Sequence, residues 1–154
     1  MIDWRYYDLL FAKARDLPTP YRFGGKVATN DLGKSVASVC AAGLDCSGWQ
    51  QYALYRASHS RLLLPEGTAW DQAQLLKDRG FRQLAAYRDV AYAKADPSRW
   101  FACFLEPRGG EPGHIWLVNA GTTRECHGHV GVGGRNWNAP PLLGCDLALE
   151  VTDL

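Results

Sequence analysis

The sequence lacks a long apolar run. Its longest, Trp100 to Leu105, is six residues, far short of the ~20 that cross a bilayer as a helix, so membrane insertion is not expected. It lacks a charge excess too. Seventeen Lys+Arg stand against 16 Asp+Glu for a net charge of +1, without the basic surplus or stripe of a nucleic-acid binder. It has no CxxC pair and no Cys/His cluster at zinc-finger spacing, so no metal or cofactor is called for. Its five cysteines, Cys40, Cys46, Cys103, Cys126 and Cys145, are an odd number that cannot complete a disulfide framework. Most read as small buried hydrophobes. The opening Met1-Ile2-Asp3-Trp4-Arg5 puts an acid where a signal peptide carries basic residues, and no apolar segment comes after it, so no export signal is expected. Internal repeats and domain linkers are missing as well.

What is present is an ordinary globular composition, 47% hydrophobic and 21% charged over 154 residues. That suits one domain over 1–154, burying roughly 68–70% of the unfolded surface. Residues 3–16 read as an amphipathic helix with Trp4, Tyr7, Phe11 and Ala14 on one stripe, Asp3 as N-cap and Pro18 as stop. Pro18, Pro20, Gly24 and Gly25 demand a turn-rich loop. Residues 27–44 show no period and read as a long loop. A second helix is expected from Asp45 or Cys46 to Ala57, with Trp49, Tyr52, Ala53 and Ala57 buried. A third is expected over 68–79, capped by Thr68 and stopped at Gly80. Strand patterns succeed them at 81–84, 100–105, 114–118, 123–127 and 147–151, with Asn119-Ala120-Gly121-Thr122 as a hairpin turn. Helices first and antiparallel strands after them predict an α+β layer fold.

The segment richest in chemistry is Leu44-Asp45-Cys46-Ser47-Gly48-Trp49. A cysteine in the first turn of a helix meets the positive end of the helix dipole and unpaired N–H groups, which favour a thiolate and can hold an oxyanion. Such a nucleophile needs a base oriented by a third group. His114 opens an apolar strand, and Glu125 and His127 lie on the next one. With the turn centred between Ala120 and Gly121, His127 falls opposite His114 and Glu125 opposite Trp116, all on one face. Elsewhere Trp4, Trp49 and Trp100 read as core packing, whereas Trp137 suits a cleft wall. Arg135 beside it is either a partner for a substrate carboxylate or a solvated cation.

The series Pro20-Tyr21-Arg22-Phe23-Gly24-Gly25, Asp45-Cys46-Ser47-Gly48, Leu64-Pro65 with Gln72, and Gly113-His114 resembles the NlpC/P60 family of cell-wall cysteine peptidases. The likeness spans residues 20–127, about 70% of the chain. It implies a papain-like core with the cysteine at a helix N-terminus packed on an antiparallel sheet that bears the histidine. It also implies hydrolysis of peptidoglycan stem peptides, often between γ-D-glutamate and the following diamino acid. Carried over, Cys46 matches the nucleophile, His114 the base, His127 the third polar position and Tyr21 the tyrosine beside the thiol. Asp45 and Ser47 are either stem-peptide contacts or only the cap and first turn of the helix. Two features depart from the family: the long link from Lys26 to Leu44, which would form a wall or lid, and the missing export signal and wall-binding repeats. A lone domain of this kind suggests a bacteriophage product, either a tail-associated hydrolase in the virion or an endolysin held in the cytoplasm until it reaches the wall. An effector of a contractile injection machine is a third source. The alternatives in activity are an N-acetylmuramoyl-L-alanine amidase or other acyl-transfer enzyme on the same scaffold, and a structural tail component without turnover.

The choice between His127 and Glu125 is testable. Directly across an unbulged hairpin, His127 would sit about 4.5–5.5 Å from His114 between Cβ atoms, placed to orient the imidazole. Glu125, one diagonal away, would line the cleft or be solvated. His127→Ala is therefore expected to lower mainly kcat on muropeptides, while Glu125→Gln leaves kcat nearly unchanged and at most raises KM. The reverse split in steady-state kinetics would make Glu125 the orienting group.

Overall fold

Helices precede antiparallel strands in the computed structural model, which describes residues 1–84, 96–139 and 144–151. Among these the chain is α+β. It has helices α1 (Trp4–Arg15), α2 (Val36–Ala41), α3 (Cys46–Ala57) and α4 (Ala69–Asp78), and a 3-10 turn at Thr29–Asp31. Six strands come after α4: β1 (Arg82–Leu84), β2 (Phe101–Leu105), β3 (His114–Asn119), β4 (Thr122–His127), β5 (Gly131–Gly133) and β6 (Leu147–Glu150). Their hydrogen-bonded order is β1-β6-β2-β3-β4-β5, with every pair antiparallel. No helix among the described residues is long and apolar enough to cross a membrane. Contacts within the chain group into two units, Met1–Glu66 with Glu125–Gly133, and Gly67–Arg124 with Gly134–Asp153.

In the first unit α1 packs on α3. The Asp3 carboxylate caps α1 by accepting from the Tyr6 N–H at 2.9 Å, and Tyr7, Leu10, Phe11 and Ala14 are buried. Trp4 is only half-buried; Leu10 takes its share of the stripe. Trp49 on α3 is fully buried, its ring 6.3 Å from Tyr7, 6.2 Å from Phe11 and 6.4 Å from Tyr52. Such aromatic pairs contribute about 0.5–1.5 kcal/mol each beyond their buried area. The Tyr7 hydroxyl donates to Gln50 Oε1 at 2.9 Å, which satisfies a polar atom in the core. Residues 46–54 of α3 are buried without interruption, so this is a core helix rather than a surface one.

Residues 27–44 are not one long loop. They hold the 3-10 turn and α2, which starts where Ser35 accepts from the Ser38 N–H at 3.3 Å and buries Val36, Val39 and Cys40. Six residues are under two turns, too few for a period to emerge from the sequence. Strand β5 is likewise absent from the sequence pattern: Gly131, Val132 and Gly133 offer no alternation of side chains.

In the second unit β2 lies between β3 and β6, and α4 packs against all three strands. The helix opens with a full capping box, Thr68 and Asp71 each bonding the other's backbone N–H. The core gathers Leu84, Phe101, Cys103, Trp116, Val118, Cys145 and Ala148. At its rim Glu150 accepts from Arg99 at 2.6 Å and from Arg82 at 2.9 Å; these bonds, Arg99's foremost, hold its carboxyl below the ordinary glutamate value.

The hairpin has the expected register near its turn: Asn119 pairs Thr122, Val118 pairs Thr123 and Leu117 pairs Arg124, with no bulge among these pairs. Ala120 and Gly121 both take positive φ, 48° and 77°, as a type I′ turn requires. For alanine that region is strained by about 1–2 kcal/mol. Ala120→Asn or Ala120→Gly is expected to raise the unfolding free energy by about 0.5–1 kcal/mol, read from the urea midpoint at unchanged slope.

Candidate functional site

Cys46 is the first residue of α3, and the residue before it is the cap. Asp45 Oδ1 accepts from the Gly48 N–H at 2.7 Å and from the Ser47 hydroxyl at 3.1 Å. Its Oδ2 accepts from the Gly24 N–H at 3.1 Å and from the Lys26 ammonium. One carboxylate thus fixes the helix start and the glycine loop together. The backbone repeats the link. Tyr21 bridges Leu44, Arg22 N–H donates to the Leu44 carbonyl at 3.1 Å, and Asp45 N–H donates to the Gly25 carbonyl at 3.1 Å.

The glycines of the two motifs meet at this seam. A Cβ on Gly48 would lie 2.0 Å from the Gly25 carbonyl oxygen, and one on Gly25 would lie 2.7 Å from the carbonyl oxygens of Arg22 and Gly43. Neither position has room for a methyl group. The Pro-Tyr-x-x-Gly-Gly and Asp-Cys-Ser-Gly segments are therefore one structural piece, although Lys26 to Leu44 separates them in the chain.

Around Cys46 the first unit collects Tyr21, Cys126 and Asp45. Burial pushes the Tyr21 hydroxyl up to about 12, and the negative charges that Cys46, Asp45 and Cys126 can carry act in the same direction. Cys126 sits on β4 between Glu125 and His127, and its thiol donates to the Leu44 carbonyl at 3.3 Å. Burial first, then neighbouring Cys46 and Asp45, pushes that thiol far up from its ordinary value, so it stays a donor. Cys46 itself is 5% exposed. It stands at the N-terminal end of α3, where the positive end of the helix dipole lies.

Of the residues singled out from the sequence, Tyr21, Asp45, Cys46, Ser47, Glu125 and His127 belong to the first unit, and His114, Arg135 and Trp137 to the second. Asp45 and Ser47 are buried and bonded to each other, a geometry that serves the cap and first-turn roles. Glu125 is fully buried, which corrects the expectation that it could be solvated; a carboxylate so placed is held by partners rather than by water. The β3–β4 register ends at Leu117 and Arg124, so the expected pairs of His127 with His114 and Glu125 with Trp116 do not form part of it; beyond Arg124 the strand pairs β5, with Glu125 opposite Gly133 and His127 opposite Gly131. His127 is half-buried.

His114 opens β3 opposite Leu105. Its ring stacks on Trp116 at 5.5 Å and 24°, which limits the ring's freedom. Trp137 is half-buried against the core of its unit, and its backbone N–H donates to the Gly121 carbonyl at 3.1 Å. Arg135 is tied by its backbone to Thr123, accepting at 2.9 Å and donating to Oγ1 at 2.8 Å. Sequence reasoning missed Cys126 and Lys26. Cys126 lies between two candidate residues, Glu125 and His127, but its buried thiol gains meaning only beside the Leu44 carbonyl.

Asp45 is the residue on which this region's stability is most exposed to test. Asp45→Ala removes the cap and leaves a mostly buried Lys26 unpaired, an expected loss of about 3–5 kcal/mol. Asp45→Asn keeps an acceptor for Gly48 and should recover about 1 kcal/mol of it; urea unfolding of both variants measures the difference. No family model matches the chain and no curated protein matches it; what points to chemistry here is the set of side chains itself.

Proposed function

We propose that the protein is a cysteine endopeptidase of peptidoglycan stem peptides, with Cys46 as nucleophile. The observation that supports this most is the position of Cys46 at the first residue of a buried helix, behind a cap that also anchors the glycine loop. The Cys46 thiolate would attack the amide carbonyl, and the N–H groups of the α3 first turn would hold the oxyanion. His114 would protonate the leaving amine and then activate water to release the acyl group. His127 is our choice for the group that orients His114, with Glu125 as the competing choice. In this reading the fold is papain-like, the partner is the wall polymer, and delivery is by a phage particle or from the cytoplasm of the host.

Catalysis in this reading would pass through a covalent acyl-enzyme, with side chains, backbone N–H groups and water taking part. Tyr21, its hydroxyl kept protonated, would act near the thiol as a hydrogen-bond donor to substrate or oxyanion. Arg135 and Trp137 would contact the stem peptide, the one through a carboxylate and the other by packing.

Incubation with purified muropeptides and mass spectrometry of the products tests the reading. A cut within the stem is expected from the native chain, and none from Cys46→Ala, whose circular dichroism should match the parent. Release of the whole stem from the glycan would point to an amidase, and no change at all to a structural role. Full activity in Cys46→Ala would remove Cys46 as nucleophile.

A further inference from the structure

Lys26 directly follows Gly24-Gly25 and opens the link to Leu44 that departs from the family pattern, so the resemblance gives it no role. Its ammonium is bound to Asp45 Oδ2, the oxygen that also accepts from the Gly24 N–H. The two side chains are 17% and 6% exposed, so water screens the pair far less than it screens an ion pair on the surface. Asp45 Oδ1 is left for the Gly48 N–H and the Ser47 hydroxyl. The ammonium thus holds the carboxylate in the orientation that serves helix and loop together.

Charge decides what this arrangement does for Cys46, the residue after Asp45. A helix N-terminus is equivalent to about half a positive charge. The cap carboxylate adds a full negative charge beside it, which favours the helix but opposes a thiolate. Those two alone leave about −0.5 at the start of α3, and the Lys26 ammonium turns the balance to about +0.5. The sign depends on Lys26.

The other titratable groups of the first unit do not compete for that role. Burial pushes the Tyr21 hydroxyl up to about 12, so it is uncharged at neutral pH. Cys126 on β4 keeps its proton and donates it to the Leu44 carbonyl at 3.3 Å. Glu125 and His127 flank Cys126 on that strand. They and the proposed base His114 are the same in every variant used below, so their influence cancels between variants.

We propose that Lys26 is a positioning and charge-balancing residue for the nucleophile: paired with Asp45, it fixes the cap and makes the start of α3 net positive, which favours a thiolate at Cys46. Its role rests on the reading of Cys46 as an activated nucleophile, and names what controls that thiol's reactivity.

The full chain is compared with Lys26→Met, Lys26→Arg, Asp45→Asn and the double variant Lys26→Met with Asp45→Asn. Each is labelled with iodoacetamide while folded, circular dichroism confirming the fold. Cys46 alkylation is followed across pH by peptide mass spectrometry. At neutral pH the expected order is Asp45→Asn fastest, the parent and the double variant alike, and Lys26→Met slowest. Against the parent, Lys26→Met should be about 3- to 10-fold slower, with its profile displaced upward by roughly one pH unit. Lys26→Arg should keep the parental rate. A double variant as slow as Lys26→Met would reduce Lys26 to a structural role and overturn the proposal. So would a folded Lys26→Met at the parental rate. Should Lys26→Met not fold, the double variant, which carries neither charge, is compared with Asp45→Asn alone. Slowing by a similar factor supports the proposal, and equal rates overturn it. Labelling needs no substrate, so the two readings separate. The expected order in a chain that leaves muropeptides uncut supports Lys26 and removes the peptidase, whereas cleavage without that order removes Lys26 alone.

Discussion

The Asp45 carboxylate is the constraint from which the first unit is organised. Its two oxygens face different parts of the chain, one toward the amides of a starting helix and the other toward a loop some 20 residues earlier. A side chain with one acceptor could serve either part but not both. The Lys26 ammonium balances its charge in a place with little water, so the pair is bound together by desolvation as much as by attraction. The next two residues, Cys46 and Ser47, inherit their position from this arrangement. The thiol's location thus follows from the bonds of its neighbour.

The charged groups of the second unit work under a different regime. Glu150 lies at the rim of its sheet with two arginines, of which Arg82 is well exposed and Arg99 half-buried. Exposed pairs of this kind contribute about 0–1 kcal/mol and weaken with salt. There the burial of Trp116, Phe101 and Phe104 on the two faces of the sheet carries the stability. One unit is pinned by a polar node and the other by apolar area, and the cysteines sort accordingly. In the first, burial and negative neighbours keep Cys126 protonated; in the second, Cys103 and Cys145 lie within the apolar cluster.

The sequence is most legible where local chemistry decides structure. Asp3, Thr68 and Asp45 are caps whose capping bonds to the helix reach only three residues, and all three helices start at them. The hairpin register comes from a two-residue turn, because alternation and turn length leave no freedom once both are known. Less is legible where the deciding contact is distant. Ser35 is a cap like the others, yet α2 leaves no mark on the sequence because its three buried residues make no period. Strand β5 is defined by what β4 offers it, and nothing in Gly-Val-Gly announces a strand. At the site, Asp45, Cys46 and Tyr21 can be named from their motifs. The burial of Glu125 depends on packing that no local pattern encodes, and so does the bond from Cys126 to Leu44.

The meeting of Gly25 and Gly48 has a consequence for how this chain can vary. The seam between loop and helix has room for one carbonyl oxygen and no methyl group, so the two positions do not offer independent choices. A side chain at Gly48 displaces the Gly25 carbonyl, which accepts from the Asp45 amide, and one at Gly25 runs into the carbonyls of Arg22 and Gly43. A randomised library spanning both positions would therefore return glycine twice rather than compensating pairs, because no substitution at one site creates space at the other. Tolerated variation around the seam runs through the residues beside it, Tyr21 and Phe23, and not through the seam itself.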